Sequence, residues 1–212
     1  MELFTMSDRA AEKIRTMILN GDLKPGGKIN IDKLSRESDF SKTPIREALN
    51  KLIAEGLVAY TPRVGYTVYL LSLKEYFQLY ELQEMLEVHL TLRMLQFVDS
   101  IDFEKLEEAN LKIQESMATG NTALVQVYND RFHMGIYQNY PNPKLIEELQ
   151  QIWAKVKIQR HMMYRSTVFL GTVLQEHRDI ANGLKNGDPA KLELAVRKHF
   201  RSGGEALLKS LG

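Results

Sequence analysis

The stretch Ser41–Val68, SKTPIREALNKLIAEGLVAYTPRVGYTV, decides the fold of the first third of the chain. Ser41 is a residue type that caps helix N-termini, and Pro44 suits the first turn of the helix that follows, where a missing N–H group costs nothing. Gly56 ends this helix. The runs LVAYT and YTVYL then follow with PRVG between them, a pattern typical of a β-hairpin. The stretch therefore predicts a helix followed by a hairpin.

Helical patterns also precede this stretch. Apolar residues at helical spacing predict one helix over about residues 8–19 and another over about 31–38, joined by a Pro-Gly-Gly turn. Three helices and a hairpin are the layout of a winged helix-turn-helix, which we expect to span residues 1–71. The buried stripe predicted for the third helix consists of Ile45, Leu49, Leu52 and Ile53.

After Ser72 no strand pattern recurs and the apolar residues follow the helical period. This spacing predicts an antiparallel all-α helical bundle over residues 72–212, so that the fold class is mainly α. We expect a break between helices around residues 166–171. The predicted helical segments are 73–97, 103–118, 121–139, 143–165, 171–186 and 189–210.

Composition excludes several classes of protein. The 212 residues contain no cysteine, which excludes disulfides and thiolate metal sites. No apolar run approaches the roughly 18 residues that span a bilayer, and the first residues lack the layout of a signal peptide, so we expect a cytoplasmic protein without a membrane segment. Residues 1–70 hold 11 Lys and Arg against 9 Asp and Glu, so DNA affinity has to come from local placement of charge.

The N-terminal end of the third helix carries side chains suited to DNA. Lys42 and Thr43 precede Arg46 by four and three residues, so the three share one exposed face. An arginine at such a position suits a bidentate contact to guanine, and the hydroxyls of Ser41 and Thr43 suit phosphate oxygens. At the hairpin tip, Arg63 suits a minor groove or a phosphate. The alternative is a solvated helix face without a DNA role.

Gly65, two residues after Arg63 in the hairpin, lets the backbone come close to DNA.

The chain has five histidines, and the last two occupy equivalent positions in a predicted helical hairpin. His177 and His199 each lie about 15–16 Å from the turn at Asn186–Pro189, at about 1.5 Å per residue. The two imidazoles therefore lie side by side. If both point inward, they form half of a metal site or the floor of a polar pocket.

His133 follows Asn129 by four residues and Asp130 by three, so either side chain reaches the same region as the imidazole. Three imidazoles and one oxygen suit a divalent transition metal with open positions. Each histidine is equally explained as a core or surface residue, and spacing alone leaves these alternatives open.

The first part of the chain resembles the winged-helix domain of the GntR family of bacterial transcription regulators. The resemblance lies in GDLKPGGKI, LSRESDFSKTPIREALNKLIAEGLV and PRVGYTV. It implies DNA contacts from the residues named above in the third helix and the hairpin. Many relatives have an arginine in the second helix where this chain has Asp32. The DNA contact of that arginine is therefore absent here or is replaced by a contact from Lys33 or Arg36.

The second part resembles the FCD ligand-binding domain of the FadR-type branch of that family. The resemblance lies in YELQEMLEVHL, NDRFHMGIYQNYPNPKLIEEL and EHRDIANGLKNGDPAKLELAVRKHF. It implies a divalent metal of the Zn, Ni or Mn class bound by Asn129, His133, His177 and His199. Asparagine in place of the usual aspartate removes a negative charge and weakens metal binding. Asp130 replaces it only if the helix rotates.

The same resemblance implies a small carboxylate effector bound beside the metal. Relatives often have an arginine at the position of Gln83, which cannot supply a charge, and Arg160 and Tyr164 are the candidate replacements. The alternative for these two is a solvated arginine and a half-buried tyrosine. His161 and His89 are expected to be structural or to line the pocket, and Trp153 is expected in the core.

These observations predict a ligand-responsive DNA-binding transcriptional regulator that is not an enzyme. Because one recognition helix reads few base pairs, we expect a homodimer on a two-fold symmetric operator in double-stranded DNA. One alternative is a metal-dependent enzyme that uses the three histidines. The other is a metal-free bundle that serves for dimerisation.

Overall fold

A computed structural model describes residues 5–164 and 167–211 of the chain. It divides the chain into two compact units, of which the first ends at Ser72 and the second begins at Leu73. Within the described ranges, every helix is too short or too polar to cross a membrane. The first unit contains α1 (Met6–Asn20), α2 (Ile31–Arg36), α3 (Lys42–Ala54), β1 (Val58–Thr61) and β2 (Gly65–Val68).

The first unit is a winged helix-turn-helix, as predicted. A capping box starts α1, in which the Thr5 backbone N–H donates to Asp8 Oδ2 over 2.9 Å. α1 packs against α3 through fully buried aliphatic side chains such as Ile18 and Leu49. β1 and β2 pair antiparallel with Val58 opposite Val68, and form the hairpin that follows α3.

Two local expectations for this unit need correction. Ser41 occupies the N-cap position of α3, but its side chain makes no capping hydrogen bond within the described part of the chain. Ile53 is 36% exposed, and Ala48 completes the buried stripe instead. Gly56 follows α3 with a φ of 72°, which suits its predicted role as a helix stop. Arg63 also has a positive φ, 69°, at the tip of the hairpin.

The second unit is an all-α bundle, and the described residues in it contain no strand. A 3₁₀ helix over Met94–Ser100 extends the first helix beyond its predicted end. Gly171 lies inside a helix and not at a break, while Arg165 and Ser166, part of the predicted break, lie outside the described residues. The helices are α4 (Leu73–Arg93), α5 (Phe103–Ala118), α6 (Thr122–Tyr137), α7 (Pro143–Met163), α8 (Thr167–Asn186) and α9 (Pro189–Leu211).

Consecutive helices pair in this bundle, α5 with α6 and α8 with α9, while α4 packs against α7 and α9. Asp188 accepts from the Lys191 backbone N–H over 3.1 Å and so caps α9. A Cβ atom added at Gly183 would lie 3.1 Å from the Cα atom of Leu192. The glycine therefore lets α8 and α9 approach closely, which sets the spacing of the histidines that they carry.

Candidate functional site

Three imidazoles from different helices converge inside the second unit. His133 comes from α6, His177 from α8 and His199 from α9. Their ring centroids form a nearly equilateral triangle with sides of 5.1, 5.0 and 5.0 Å. One ring nitrogen from each lies within 4.8 Å of the others, a spacing that a single metal ion can bridge. All three side chains are buried.

Each of the three rings is held at its Nδ1 atom by a side chain from another helix. Glu87 Oε2 on α4 lies 3.2 Å from Nδ1 of His133. Asn110 on α5 and Glu176 on α8 hold the other two rings, and those contacts measure 2.8 Å to His177 and 3.1 Å to His199. Because these oxygens accept hydrogen bonds, each Nδ1 atom donates, which makes Nε2 the nitrogen for a ligand.

Burial favours the uncharged form of two of these rings. It holds the pKa of His177 well below its ordinary value, and the neighbouring imidazoles of His199 and His133 lower that pKa further. Burial also lowers the pKa of His199, although Glu176 opposes this. A neutral imidazole is the form that binds metal ions.

Two buried acceptors near the three rings lack a hydrogen-bond partner among the described residues. They are Nε2 of His177 and Oδ1 of Asn129. Asn129 lies one helical turn before His133 and lines the same cavity as His133 and His199. Buried polar atoms normally have partners, so these two fit a bound cation. The structure thus brings all four sequence-predicted ligands into one region.

Sequence reasoning missed the residues that hold the rings. Glu87 is 2% exposed and also accepts from Tyr137 Oη over 2.5 Å and from Trp153 Nε1 over 2.9 Å. Burial acts to raise the pKa of this carboxyl, but His133 and the hydrogen bonds lower it to about 2. The available signal was a polar residue on an apolar helix face, as with Asn110 between Leu106 and Ile113 in α5.

The predicted effector residues line a small cavity beside the three rings. Gln83, Arg160 and Tyr164 all contribute to its wall, and its volume is about 20 Å³. The alternative of a solvated arginine and a half-buried tyrosine is wrong, since Arg160 is 4% exposed and Tyr164 1%. Arg160 Nη2 lies 2.5 Å from Asp130 Oδ1. Asp130 therefore serves as a counter-ion for a buried arginine.

The remaining histidines lie apart from this group. His161 is buried, with its Nε2 atom 3.1 Å from Thr122 Oγ1 and its Nδ1 atom 3.3 Å from Gln126 Oε1. His89 is exposed. Trp153 is buried as expected, and its hydrogen bond to Glu87 gives it a second role. A larger groove of about 290 Å³ lies between α5 and α6, and none of the predicted metal or effector residues lines it.

The DNA-contact candidates lie at the surface of the first unit. Ser41, Lys42, Thr43 and Arg46 are exposed at the N-terminal end of α3. At the hairpin, Arg63 is exposed.

Gly65, the first residue of β2, is half-buried and has a φ of 96°, a conformation that favours glycine.

The departure at Asp32 has a structural consequence. Its Oδ1 atom lies 2.5 Å from Lys42 Nζ, and both side chains are more than half exposed. The hydrogen bond and charge of Lys42 lower the pKa of Asp32. An acidic side chain therefore pairs with one of the cations predicted to bind DNA.

Comparison with protein families agrees with this architecture. Residues 6–68 match the model of the bacterial regulatory proteins of the gntR family, and residues 78–202 match the FCD domain. The chain therefore belongs to the GntR family and carries an FCD domain. It is a DNA-binding transcriptional regulator, in agreement with the expectation that it is not an enzyme, since its relatives are regulators.

Two relatives illustrate the extent of the likeness. An uncharacterized HTH-type transcriptional regulator of Bacillus subtilis, YdhC, is 27% identical over 200 residues, which cover 92% of this chain and 88% of that protein. The Nta operon transcriptional regulator of Aminobacter aminovorans is 26% identical, with 87% and 88% covered.

Solved structures share the fold. Escherichia coli McbR superposes with a TM-score of 0.76 at 19% identity, covering 99% of this chain and 100% of its own. A putative GntR regulator from Rhodococcus sp. RHA1 gives 0.75 at 20% identity, with 97% of both chains covered.

Proposed function

We propose that residues 1–71 bind a two-fold symmetric operator in double-stranded DNA, and that residues 72–212 bind the effector that controls this binding. The main support for DNA binding by residues 1–71 is the exposed N-terminal end of α3. It presents Lys42, Thr43 and Arg46, while the opposite face of the same helix is buried. A recognition helix needs one exposed face that enters the major groove and one buried face that packs on the rest of the domain.

Arg46 reads a base edge in this proposal, and Ser41 and Thr43 bind phosphates. Arg63 and Gly65 bring the hairpin to the neighbouring groove or backbone. One such helix reads few base pairs, so the protein acts as a homodimer. As a bacterial regulator it works in the cytoplasm, where the chromosome lies.

Duplexes enriched by the purified protein from a random DNA library test this assignment. Arg46→Ala should weaken binding to the selected duplex by roughly 5- to 150-fold, the equivalent of about 1–3 kcal/mol for a bidentate base contact. Arg201→Ala, which removes the same charge from an exposed position in the second unit, should leave it unchanged. Equal losses in both variants would show that α3 does not read the DNA.

We further propose that Asn129, His133, His177 and His199 bind one divalent transition metal ion of the Zn, Ni or Mn class. The support is the set of Nδ1 contacts, which orient the three rings, and the unpaired Asn129 Oδ1 and His177 Nε2 atoms within the described residues. When bound, the ion supplies open coordination positions for an oxygen of the effector. The uncharged Asn129 makes this site weaker than one with a carboxylate.

The effector in this proposal is a small carboxylate held in the cavity that Gln83, Arg160 and Tyr164 line. The guanidinium of Arg160 is its anion partner. Binding shifts the equilibrium between arrangements of the paired DNA-binding units, for which a coupling of about 1–3 kcal/mol is typical.

A further inference from the structure

A short segment before α2 pairs with the edge of β2 that β1 leaves free. Lys28 in this segment forms an antiparallel bridge with β2. On either side of it, the Val68 N–H group donates to Gly27 O over 2.9 Å, and the Ile29 N–H group donates to Tyr66 O over 2.8 Å. Because Val68 ends β2 and Tyr66 lies nearer to the turn, the segment runs from the base of the hairpin toward its tip.

Lys28 lies on the outer face of this small sheet. Ile29 is 3% exposed and Val68 is 1% exposed, so the inner face is buried. Since side chains alternate across a strand, Lys28 points to the opposite face, where it is exposed. Its Cε atom lies 3.9 Å from the position that a Cβ atom of Gly65 would take. The side chain therefore extends along the hairpin toward the tip, which carries the exposed Arg63.

The charge of Lys28 is available for a ligand, unlike that of two other lysines in the first unit. Lys33 Nζ lies 4.0 Å from Glu37 Oε1, and Lys42 Nζ lies 2.5 Å from Asp32 Oδ1. Among the described residues, Lys28 makes no such salt bridge. An ammonium group without a counter-ion keeps its full attraction for an anion.

We infer that Lys28 binds a backbone phosphate of the DNA between the hairpin tip and the start of α2. α2 begins at Ile31, three residues after Lys28. In a helix-turn-helix the helix before the recognition helix crosses the DNA backbone, so a cation between that helix and the hairpin lies beside phosphates. Lysine suits a phosphate as a point charge. The inference rests on the proposed placement of the hairpin against DNA, and adds a contact that strengthens binding without reading sequence.

The salt dependence of DNA binding tests this contact. Lys28→Met keeps most of the aliphatic side chain and removes the charge. With the duplex enriched from a random library, the slope of log affinity against log salt concentration should become shallower by about 0.9 for each chain bound. Affinity at about 0.1 M salt should fall roughly eightfold for each chain bound. A scrambled duplex should lose affinity by the same factor, because the contact is to the backbone, and Lys28→Arg should restore the slope.

Lys24→Met is the matched control. Lys24 is also exposed and lines the same groove of about 240 Å³ as Lys28, but it precedes the paired segment at the end away from the hairpin tip. Its replacement should leave the slope unchanged.

Two results overturn the inference, namely an unchanged slope in Lys28→Met and an equal change in both lysine variants. If Arg46→Ala still weakens binding in that case, the proposed recognition by α3 stands and only the role of Lys28 falls. Failure to enrich any duplex overturns both proposals.

Discussion

Replacing Glu87 by glutamine tests the group that organises the interior of the bundle. The change keeps the shape of the side chain and removes its charge. In chelator-treated protein at pH 7 we expect the free energy of unfolding to fall by about 3 kcal/mol. The loss arises because three neutral donors, from Gln83, Tyr137 and Trp153, lose a charged acceptor. His133 also loses the anion beside its Nδ1 atom.

The number of hydrogen bonds gives this magnitude. A hydrogen bond to a charged group contributes about 1 kcal/mol more than one to a neutral group, and three such bonds give about 3 kcal/mol. Burial acts to raise the pKa of Glu87, but His133 and the hydrogen bonds lower it from 4.5 to about 2. Because the pKa is lowered on folding, this stability is present above pH 4.5 and is lost as the pH falls toward 2.

Urea denaturation of both proteins, followed by circular dichroism, provides the assay. The difference in unfolding free energy should be about 3 kcal/mol at pH 7 and roughly half of that at pH 3. Glu81→Gln is the matched control, since Glu81 is exposed on the same helix, and should change stability by less than about 0.5 kcal/mol. A difference below about 1 kcal/mol at pH 7, or one that is unchanged at pH 3, would refute the reasoning.

Other variants probe the remaining parts of the account. Asn129→Asp should tighten zinc binding at least about tenfold in a competition assay with a chromophoric chelator, because it adds a charge to the ligand set. Glu176→Gln, which weakens the hold on His199, should loosen zinc about 10- to 100-fold in the same assay. Asp32→Ala should release Lys42 for phosphate, so that DNA binding tightens and its salt dependence steepens by about one unit. An unchanged zinc affinity or DNA affinity in any of these variants would contradict the role given to the residue that was replaced.

The sequence predicts the hairpin of α8 and α9 well, because the positions of its residues follow from their number of residues from one turn. His177 and His199 lie at equal distances from one turn, and the rings indeed lie 5.0 Å apart. His133 belongs to a helix that reaches them only through tertiary packing, so its place was inferred from family resemblance. Glu87 and Asn110 were missed because they lie 46 and 67 positions from the histidines that they hold, and no local pattern links them.

The incorrect expectations came from treating local preferences as decisive. The expected break around residues 166–171 relied partly on Gly171, but a glycine costs only about 1 kcal/mol relative to alanine in a helix, which packing readily offsets. A solvated Arg160 is the local expectation because a long arginine side chain usually keeps its charged head group in water. Its counter-ion, Asp130, lies on another helix, so the pair that permits burial becomes visible only in the folded bundle.

Metal content measured by elemental analysis tests the central claim most directly. After incubation with excess zinc and gel filtration, the wild-type protein and His161→Ala should each retain about one ion per chain. His161 is the control because its ring bonds to Thr122 and Gln126, outside the ligand set. The double variant His177→Ala/His199→Ala should retain almost none. Zinc retained equally by the double variant, or absent from the wild-type protein, would contradict the assignment of the three imidazoles as a metal centre.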